Sequence, residues 1–262
     1  MLKIHRPALR LGLSPKALEM AAFNWRGRLL RREQVAVAGP LPGWQGVLAA
    51  LRQQLHSGAW SAGRAEVILS SHFVRHCLLP GQIRLAGSAE QSGYVRHLFR
   101  GEYGPAVDSW HVAVDSAGRG ARLACAIDAD LLDELGRICR DAKLKLASVR
   151  PHLAATANDV RLRIRQPRAW LAVLESDVCA LALLQSGQWQ HVACARADTA
   201  SAASLVSALR RQAALLPHAA EGNLVYVFGA ASDLAGSNQA ADWRIDVLTR
   251  ASGPGPAPLL QL

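Results

Sequence analysis

The residues of this chain that could do chemistry are thinly spread, and His72 and His76 are the pair with the spacing of metal ligands. Side chains four positions apart project from the same side of a strand or helix, so both imidazoles could face one zinc ion. A zinc site needs a third ligand, and the adjacent Cys77 would project from the opposite face of a strand. We therefore expect no metal site.

The motifs of nucleophilic and phosphate chemistry are missing from the sequence. It has neither a Gly-x-Ser-x-Gly turn nor a glycine-rich P-loop, so we expect no catalytic residues. The five cysteines form no Cys-x-x-Cys pair and lie among apolar residues, which predicts buried and reduced thiols. They are Cys77, Cys125, Cys139, Cys179 and Cys194.

The composition is that of a folded protein of one large or two ordinary domains. Of 262 residues, 50% are hydrophobic and 19% are charged. The apolar runs are far shorter than the roughly 20 residues that a membrane-spanning helix needs. The first residues, MLKIHRPALRLGLS, lack the apolar core of a signal peptide. These features predict a cytoplasmic protein.

The formal net charge of +10 suggests an anionic partner. Nucleic acid and anionic lipid head groups are both alternatives. Most of the basic residues are arginines spread along the chain, which favours a general basic surface over a specific nucleic-acid site. The densest groups are Arg26, Arg28, Arg31 and Arg32, and then Arg161, Arg163, Arg165 and Arg168.

The stretch 64–80, RAEVILSSHFVRHCLLP, holds two short apolar runs separated by Ser70 and Ser71. The first run is rich in β-branched residues, as a strand buried on both faces would be, and Pro80 ends the second. One interpretation is an ordinary hairpin or strand bend. The other is that the chain leaves one sheet at the two serines and enters an inserted subdomain.

The hydrophobic periodicity predicts the same order of elements, β-β-β-α-β, at both ends of the chain. The first copy comprises strands 8–14, 17–23 and 29–38, a helix 43–56 and the strand within 64–70. The second comprises strands 169–175, 178–185 and 188–196, a helix 201–216 and strand 224–228, before an edge strand 243–248. This repeat predicts an α/β fold of two ribonuclease-H-like halves.

Residues 72–149 follow a different pattern, which predicts an α+β subdomain inserted in the first half. It contains a helix 88–99 capped by Ser88, a hairpin of strands 110–115 and 122–127, a helix capped by Asp128, and a strand 144–149. The predicted domains are a first half 1–165 that contains the insert 72–149, a second half 166–250, and a flexible Pro/Gly tail 251–262.

Two ribonuclease-H-like halves with an insert in the first resemble the actin-like ATPase superfamily. Within it, the strings VILSSHFVRHCLLP, YVRHLFRGEYG, LACAIDADLLDEL and LASVRPHLAATAN resemble the PilM-like proteins of type IV pilus biogenesis. They also resemble the cytoplasmic domain of GspL of type II secretion and the MshI group. The resemblance covers about residues 5–250 and implies a cytoplasmic protein, peripheral to the inner membrane, that binds the tail of a single-span, PilN-like partner. Self-association is a further expectation.

The resemblance also implies a nucleotide site between two hairpin loops. The first loop, LGLSPKALE, keeps Lys16 but has no carboxylate in its turn to organise Mg²⁺. The second loop, LESDVCALALL, offers Asp177 without a glycine, and VFGAASDLAG keeps Gly229 near the adenine end. We therefore expect no cofactor, with ATP and Mg²⁺ at Lys16, Asp177 and Gly229 as the alternative. Two-metal nuclease chemistry would need a carboxylate on strand 8–14, which has none.

The partner site is expected where the insert leaves the first sheet. Phe73, Arg75 and the helical residues Tyr94, Arg96 and Arg100 would line a groove for an extended, acidic tail. The alternative for these arginines is a solvated helix face. The main hypothesis is thus a non-catalytic scaffold of pilus or type II secretion assembly. A nucleotide-binding ATPase of the same fold and a nucleic-acid-binding domain are the alternatives.

Overall fold

The structure is a computed structural model. It describes residues 8–37, 43–60, 63–83, 85, 87–115, 120–198, 201–216, 223–229, 239–240 and 242–248. The predicted tail 251–262 and Gly236 lie outside the described residues. The described part of the chain divides into two compact units, one within Met1–Val74 and Ile127–His152, the other within Arg75–Ala126 and Leu153–Ala257.

The elements follow the predicted order closely. In the first part of the chain they are β1 (Ala8–Leu13), β2 (Ala17–Phe23), β3 (Leu29–Ala36), α1 (Gln45–His56), β4 (Arg64–Leu69), β5 (Val74–Leu79), α2 (Ser88–Tyr103), a 3-10 helix (Gly104–Ser109), β6 (Trp110–Val114) and β7 (Arg122–Asp128). Then come α3 (Ala129–Asp141), β8 (Lys145–Pro151), α4 (His152–Val160), β9 (Arg168–Leu174), β10 (Val178–Gln185), β11 (Gln188–Arg196), α5 (Ala202–Ala213), β12 (Leu224–Phe228), β13 (Gln239–Ala240) and β14 (Trp243–Val247).

The sheet of the first unit has the order β3-β2-β1-β4-β8. β2 runs antiparallel to β1 and β3, whereas β4 runs parallel to β1 and β8. The central strands bury almost every apolar side chain, as parallel strands covered on both faces do. β3, at the edge of this sheet, is largely exposed.

Two helices of the first unit bury an apolar stripe each. The buried residues recur at helical spacing in α1 (Val47, Leu48, Leu51, Leu55) and in α3 (Leu131, Leu135, Ile138, Cys139). Asp128 caps α3 as predicted, because its carboxylate accepts a 3.0 Å hydrogen bond from the Asp130 backbone N–H. Its other oxygen accepts from the Trp44 indole at 3.0 Å, which ties the start of α1 to the start of α3.

The chain changes sheets at the Ser70-Ser71 break, so the second interpretation of that stretch is confirmed. β4 belongs to the first sheet, whereas β5 belongs to a small sheet of order β5-β7-β6. A tight turn makes the corner: the Phe73 N–H donates to the Ser70 carbonyl at 3.0 Å, and the Ser70 hydroxyl accepts from the His72 N–H at 3.2 Å. A serine at position 70 suits this corner because its hydroxyl accepts from a backbone N–H of the turn, so that no glycine is needed.

The predicted insert, 72–149, is too long at its C-terminal end. β8 pairs in parallel with β4 and therefore completes the first sheet. The small sheet instead packs with α2 around a core of its own, formed by Leu79, Val95, Phe99, Val107, Ala124 and Ala126. Residues 75–126 also group with the second half of the chain rather than with the first.

The second unit repeats the first sheet, with the order β11-β10-β9-β12-β14-β13. Alternate residues of β9 face opposite sides: Trp170 and Ala172 pack in a core with α5, whereas Leu171 and Val173 pack in a core with α4. The β-β-β-α-β repeat is therefore confirmed. The helix α4, which covers the second face of this sheet, was not predicted.

Two smaller predictions are corrected. Ser88 is the first residue of α2 and Gly87 precedes it as the cap, with no side-chain hydrogen bond. The strand at 243–248 is not at the edge of its sheet, because β13 pairs with β14 on its outer side.

Candidate functional site

The turn between β1 and β2 uses its own polar groups to close itself. The Ser14 N–H and hydroxyl both donate to the Ala17 carbonyl at 3.0 Å, and the Ala17 N–H donates to the Ser14 hydroxyl at 3.0 Å. Pro15 has no N–H, and the Lys16 carbonyl accepts from the Val37 N–H at 2.9 Å. A phosphate-binding loop must aim several N–H groups at the anion. This turn directs two of its N–H groups back into itself.

The turn between β9 and β10 places Asp177 beside a cavity of about 650 Å³ in the second unit. The Glu175 N–H donates to the Val178 carbonyl at 2.9 Å, and the Ser176 hydroxyl donates to the Asp177 carboxylate at 2.7 Å. The lining mixes two arginines with two aspartates and small residues: Ser176, Asp177, Arg196, Ala197, Asp198, Ser204, Ser207 and Arg211. Its charges balance, so neither Mg²⁺ nor phosphate is favoured over the other.

Gly229 directly follows β12 and has a φ angle of +89°, a backbone conformation that favours glycine. The following residues of VFGAASDLAG lie outside the described part of the chain. Lys16 belongs to the first unit, whereas Asp177 and Gly229 belong to the second. The assignment of these three residues to a nucleotide stays a prediction.

The predicted partner residues are held by their own chain. Phe73 is 7% exposed in the corner after β4. Arg96 donates from Nη1 to the Val107 carbonyl at 3.1 Å and from Nη2 to the Trp110 carbonyl at 2.9 Å. These bonds fasten α2 to the 3-10 helix and β6. Arg100 forms an ion pair with Asp108 at the surface.

Arg75 and Tyr94, unlike Arg96 and Arg100, contact aromatic or apolar side chains of the insert. The Arg75 guanidinium is 5.9 Å from the centroid of the Tyr103 ring, within the range of a cation–π contact. Tyr94 is half-buried and packs on the core of the insert. The structure therefore brings Arg75 to the end of α2, and it places Arg96 and Arg100 against the 3-10 helix.

The thiol of Cys194 on β11 lies beside the imidazole of His76 on β5. The Nδ1 and Sγ atoms are 3.4 Å apart. Burial lowers the pKa of His76 from 6.5 to about 4, with smaller effects from Glu175, which raises it, and Arg75, which lowers it further. Desolvation of its thiol also raises the pKa of Cys194 to about 12, although the residue as a whole is exposed. Both groups are therefore neutral near pH 7, whereas a catalytic thiolate needs a depressed thiol pKa.

The cysteines are only partly as predicted. All five are free thiols, but Cys139 and Cys179 are buried, Cys77 and Cys125 are half-buried, and Cys194 is exposed. Burial is the main cause that raises the pKa of Cys77 to about 12 and of Cys139 to about 11, and it raises the pKa of Cys125 and Cys179 as well. Such thiols are poor nucleophiles and ligands at neutral pH.

Neither a metal-ligand cluster nor a membrane-spanning helix is found among the described residues. In the parts of the chain that the structure describes, no three His, Cys, Asp or Glu side chains are grouped to hold a metal ion. His72 and His76 have separate partners, the Ser70 hydroxyl at 2.8 Å and the Cys194 thiol. None of the described helices is long and apolar enough to cross a membrane.

Known structures share this architecture over nearly the whole chain. A Bacteroides thetaiotaomicron protein with an actin-like ATPase fold matches with a TM-score of 0.68 at 13% identity, over 95% of this chain and 94% of that one. The PilM-PilN type IV pilus biogenesis complex matches with 0.61 at 13% identity, over 92% and 88%. The cytoplasmic domain of EpsL, an inner-membrane component of the Vibrio cholerae type II secretion system, matches with 0.57 at 14% identity, over 93% and 90%. No protein-family model and no curated protein matches the sequence.

The chain has the actin-like ATPase fold. The predicted fold class is therefore confirmed, and the neighbours include the groups that the sequence resembles. The loops of the β1–β2 and β9–β10 hairpins are those between which the family resemblance implies a nucleotide site, the alternative to the expectation of no cofactor. The β1–β2 loop has no carboxylate in its turn to organise Mg²⁺. The N–H groups of Ser14 and Ala17 are hydrogen-bonded within the turn and so do not point to a phosphate.

Two features of this actin-like chain were not predicted from its residues. The His76–Cys194 contact joins residues 118 positions apart, and no local pattern could have indicated it. The groove between α1 and α3, about 350 Å³, was also missed; its lining is Trp44, Gln45, Leu48, Ala49, Arg52, Asp130, Glu134 and Arg137. The helical periodicity of both helices was visible, but their pairing was not.

Proposed function

We propose that this chain is a non-catalytic, actin-like scaffold of type IV pilus or type II secretion assembly. It binds the cytoplasmic tail of an inner-membrane, PilN-like protein and acts at the cytoplasmic face of that membrane. The absence of catalysis in this proposal is supported by the β1–β2 turn, in which the N–H groups of Ser14 and Ala17 form hydrogen bonds to each other's residue. The fold shared with the PilM-PilN complex and the EpsL domain supports the assembly role.

The partner surface belongs to the insert in this proposal. Arg75 supplies the positive charge at the end of α2, and Tyr94 supplies apolar area. Arg96 and Arg100 position α2 by fixing it to the 3-10 helix, and Phe73 shapes the corner that leads into β5. An acidic tail would pair with Arg75, since guanidinium groups bind carboxylates well.

A nucleotide-binding ATPase is the second candidate. The cavity beside Asp177 favours it, because it lies at the second of the two hairpin loops and contains two arginines. Phosphate could pair with Arg196 and Arg211, although Asp177 and Asp198 oppose it there.

The proposal is tested with a fluorescently labelled tail peptide of a PilN-like protein. We expect a dissociation constant on the order of micromolar, unchanged by added Mg-ATP. Arg75→Glu should weaken binding at least about tenfold, because it replaces an attraction with a repulsion. Arg137→Glu, on α3, is the matched control and should bind as the wild type does. Equal loss in both variants, or binding that depends on Mg-ATP, would contradict the proposal.

A further inference from the structure

The tip of the β2–β3 hairpin exposes large apolar side chains to solvent. Trp25 is 58% exposed, Leu29 41% and Leu30 64%. Three such residues within six positions form a patch, whereas single exposed apolar residues are ordinary. We call residues 24–30, NWRGRLL, the hairpin tip.

The chain holds the hairpin tip in a defined shape. The Asn24 carboxamide accepts hydrogen bonds from the N–H groups of Arg26 and Arg28, each at 2.9 Å. The Gly27 N–H donates to the Asn24 carbonyl at 3.0 Å, and Gly27 adopts φ of +76°, which favours glycine. The apolar residues are therefore presented by an ordered turn.

Positive charge surrounds the apolar residues. Arg26 and Arg28 belong to the hairpin tip, which contains no acidic residue. The Arg26 guanidinium lies 4.4 Å from the centroid of the Trp25 ring. The next two arginines differ, because Arg31 pairs with Glu33 at 2.7 Å and Arg32 lies 3.8 Å from Glu19. Among the described residues, Arg26 and Arg28 are thus the arginines of this hairpin that form no ion pair.

The local strand geometry argues against a peptide that adds to this edge. Ala22 pairs with Arg31 and Phe23 with Leu29, so Leu30 is an extra residue in a bulge. A bulge and charged side chains interrupt the regular ladder that strand addition requires. A partner would therefore contact the side chains of the hairpin tip and would not extend its sheet by backbone hydrogen bonds.

We propose that the hairpin tip docks on an anionic bilayer surface. Trp25, Leu29 and Leu30 enter the boundary between head groups and acyl chains, where an indole ring is favoured. Arg26 and Arg28 stay at the level of the lipid phosphates, with their stems along the apolar side chains. This inference rests on the hairpin alone, so it does not depend on the partner site of the proposed function.

Co-sedimentation of the full chain with vesicles tests the proposal. Vesicles of phosphatidylglycerol and phosphatidylcholine should bind the protein, and vesicles of phosphatidylcholine alone should bind it far more weakly. Each arginine near an anionic surface contributes roughly a fivefold gain in affinity, so Arg26→Ala with Arg28→Ala should lose about thirtyfold. Trp25→Ser with Leu30→Ser should lose on the order of tenfold or more, because apolar area is no longer removed from water.

A matched control removes the same charge elsewhere. Arg161→Ala with Arg163→Ala changes an exposed turn of the second unit that also carries an exposed leucine, Leu162. This variant should keep its affinity within about threefold, since its arginines flank one exposed leucine rather than a patch of three large apolar side chains. Thermal melting should show that all variants fold, because every altered side chain is exposed.

Three outcomes would overturn the proposal. The first is the absence of binding to anionic vesicles by the wild type. The second is an equal loss in both arginine pairs, which would indicate a diffuse charge effect. The third is vesicle binding that the hairpin-tip variants retain while they lose binding to a single-stranded DNA oligonucleotide, which would assign the tip to nucleic acid.

Discussion

The Nδ1 atom of His76 lies 3.4 Å from the Sγ atom of Cys194, so β5 of the insert contacts β11 of the second half. A second contact joins the same two parts of the chain: Gly120, which precedes β7, lies against the side chain of Gln188, the first residue of β11. The insert is therefore built into the second unit, although it interrupts the sequence of the first half.

Stability should fall when His76 is forced to ionise. Its pKa is about 4 in the folded protein and 6.5 ordinarily, mainly because burial disfavours the imidazolium. Between these values the unfolded chain binds more protons, so the free energy of unfolding decreases as pH falls from about 6.5 to about 4. The loss amounts to about 3 kcal/mol and is complete below about pH 4, whereas well above pH 6.5 the imidazole is neutral in both states and there is no loss. His76→Asn should flatten this part of the profile in denaturant unfolding at several pH values.

The control for His76 is His97→Asn, which changes an exposed histidine of α2. It should leave the pH dependence as in the wild type. A profile that His76→Asn leaves unchanged would mean that another group governs the acid transition.

Two glycine-to-alanine changes should act in opposite directions. A Cβ on Gly81 would lie 2.5 Å from the Gly120 carbonyl carbon and 2.8 Å from its oxygen, so the backbone of the insert would have to move. We expect Gly81→Ala to destabilise by about 1–3 kcal/mol. Gly101→Ala, in α2, meets nothing within 4 Å and should stabilise by roughly 0.5–1 kcal/mol. Chemical denaturation measures both, and a stable Gly81→Ala variant would contradict the close approach.

Arg96 and Arg100 should differ in their effect on stability. Arg96→Met removes the guanidinium donor from the carbonyls of Val107 and Trp110, at an expected cost of about 1–3 kcal/mol, although the Val107 carbonyl still accepts from the Trp110 N–H. Arg100 and its partner Asp108 have side chains 56% and 62% exposed, so Arg100→Met should cost less than about 1 kcal/mol. Equal losses in thermal or urea unfolding would show that Arg96 is not an anchor of α2.

Mg-ATP should bind no tighter than about millimolar in calorimetry, without phosphate release. The reason is that the β1–β2 turn lacks a carboxylate and closes on its own N–H groups. Lys16→Ala and Asp177→Ala should therefore leave the weak signal unchanged. Micromolar binding that either substitution abolished would favour the ATPase alternative.

The sequence by itself determined the repeated β-β-β-α-β order and the break at Ser70 and Ser71. These follow from local physics: apolar residues recur with the period of the element that buries them, and polar residues interrupt them where the chain turns. Asp128 was recognised as a helix cap for the same reason, since a cap acts within one turn of its helix.

Only the tertiary structure decided where the insert ends and which half holds it. β8 has the pattern of any short strand, and its parallel pairing with β4 depends on a register set by residues some eighty positions earlier in the chain. The His76–Cys194 contact, the α4 cover on β9 and the hydrogen bonds of Arg96 likewise join distant segments. Local periodicity fixes what an element is, whereas burial of its faces against distant elements fixes where it lies.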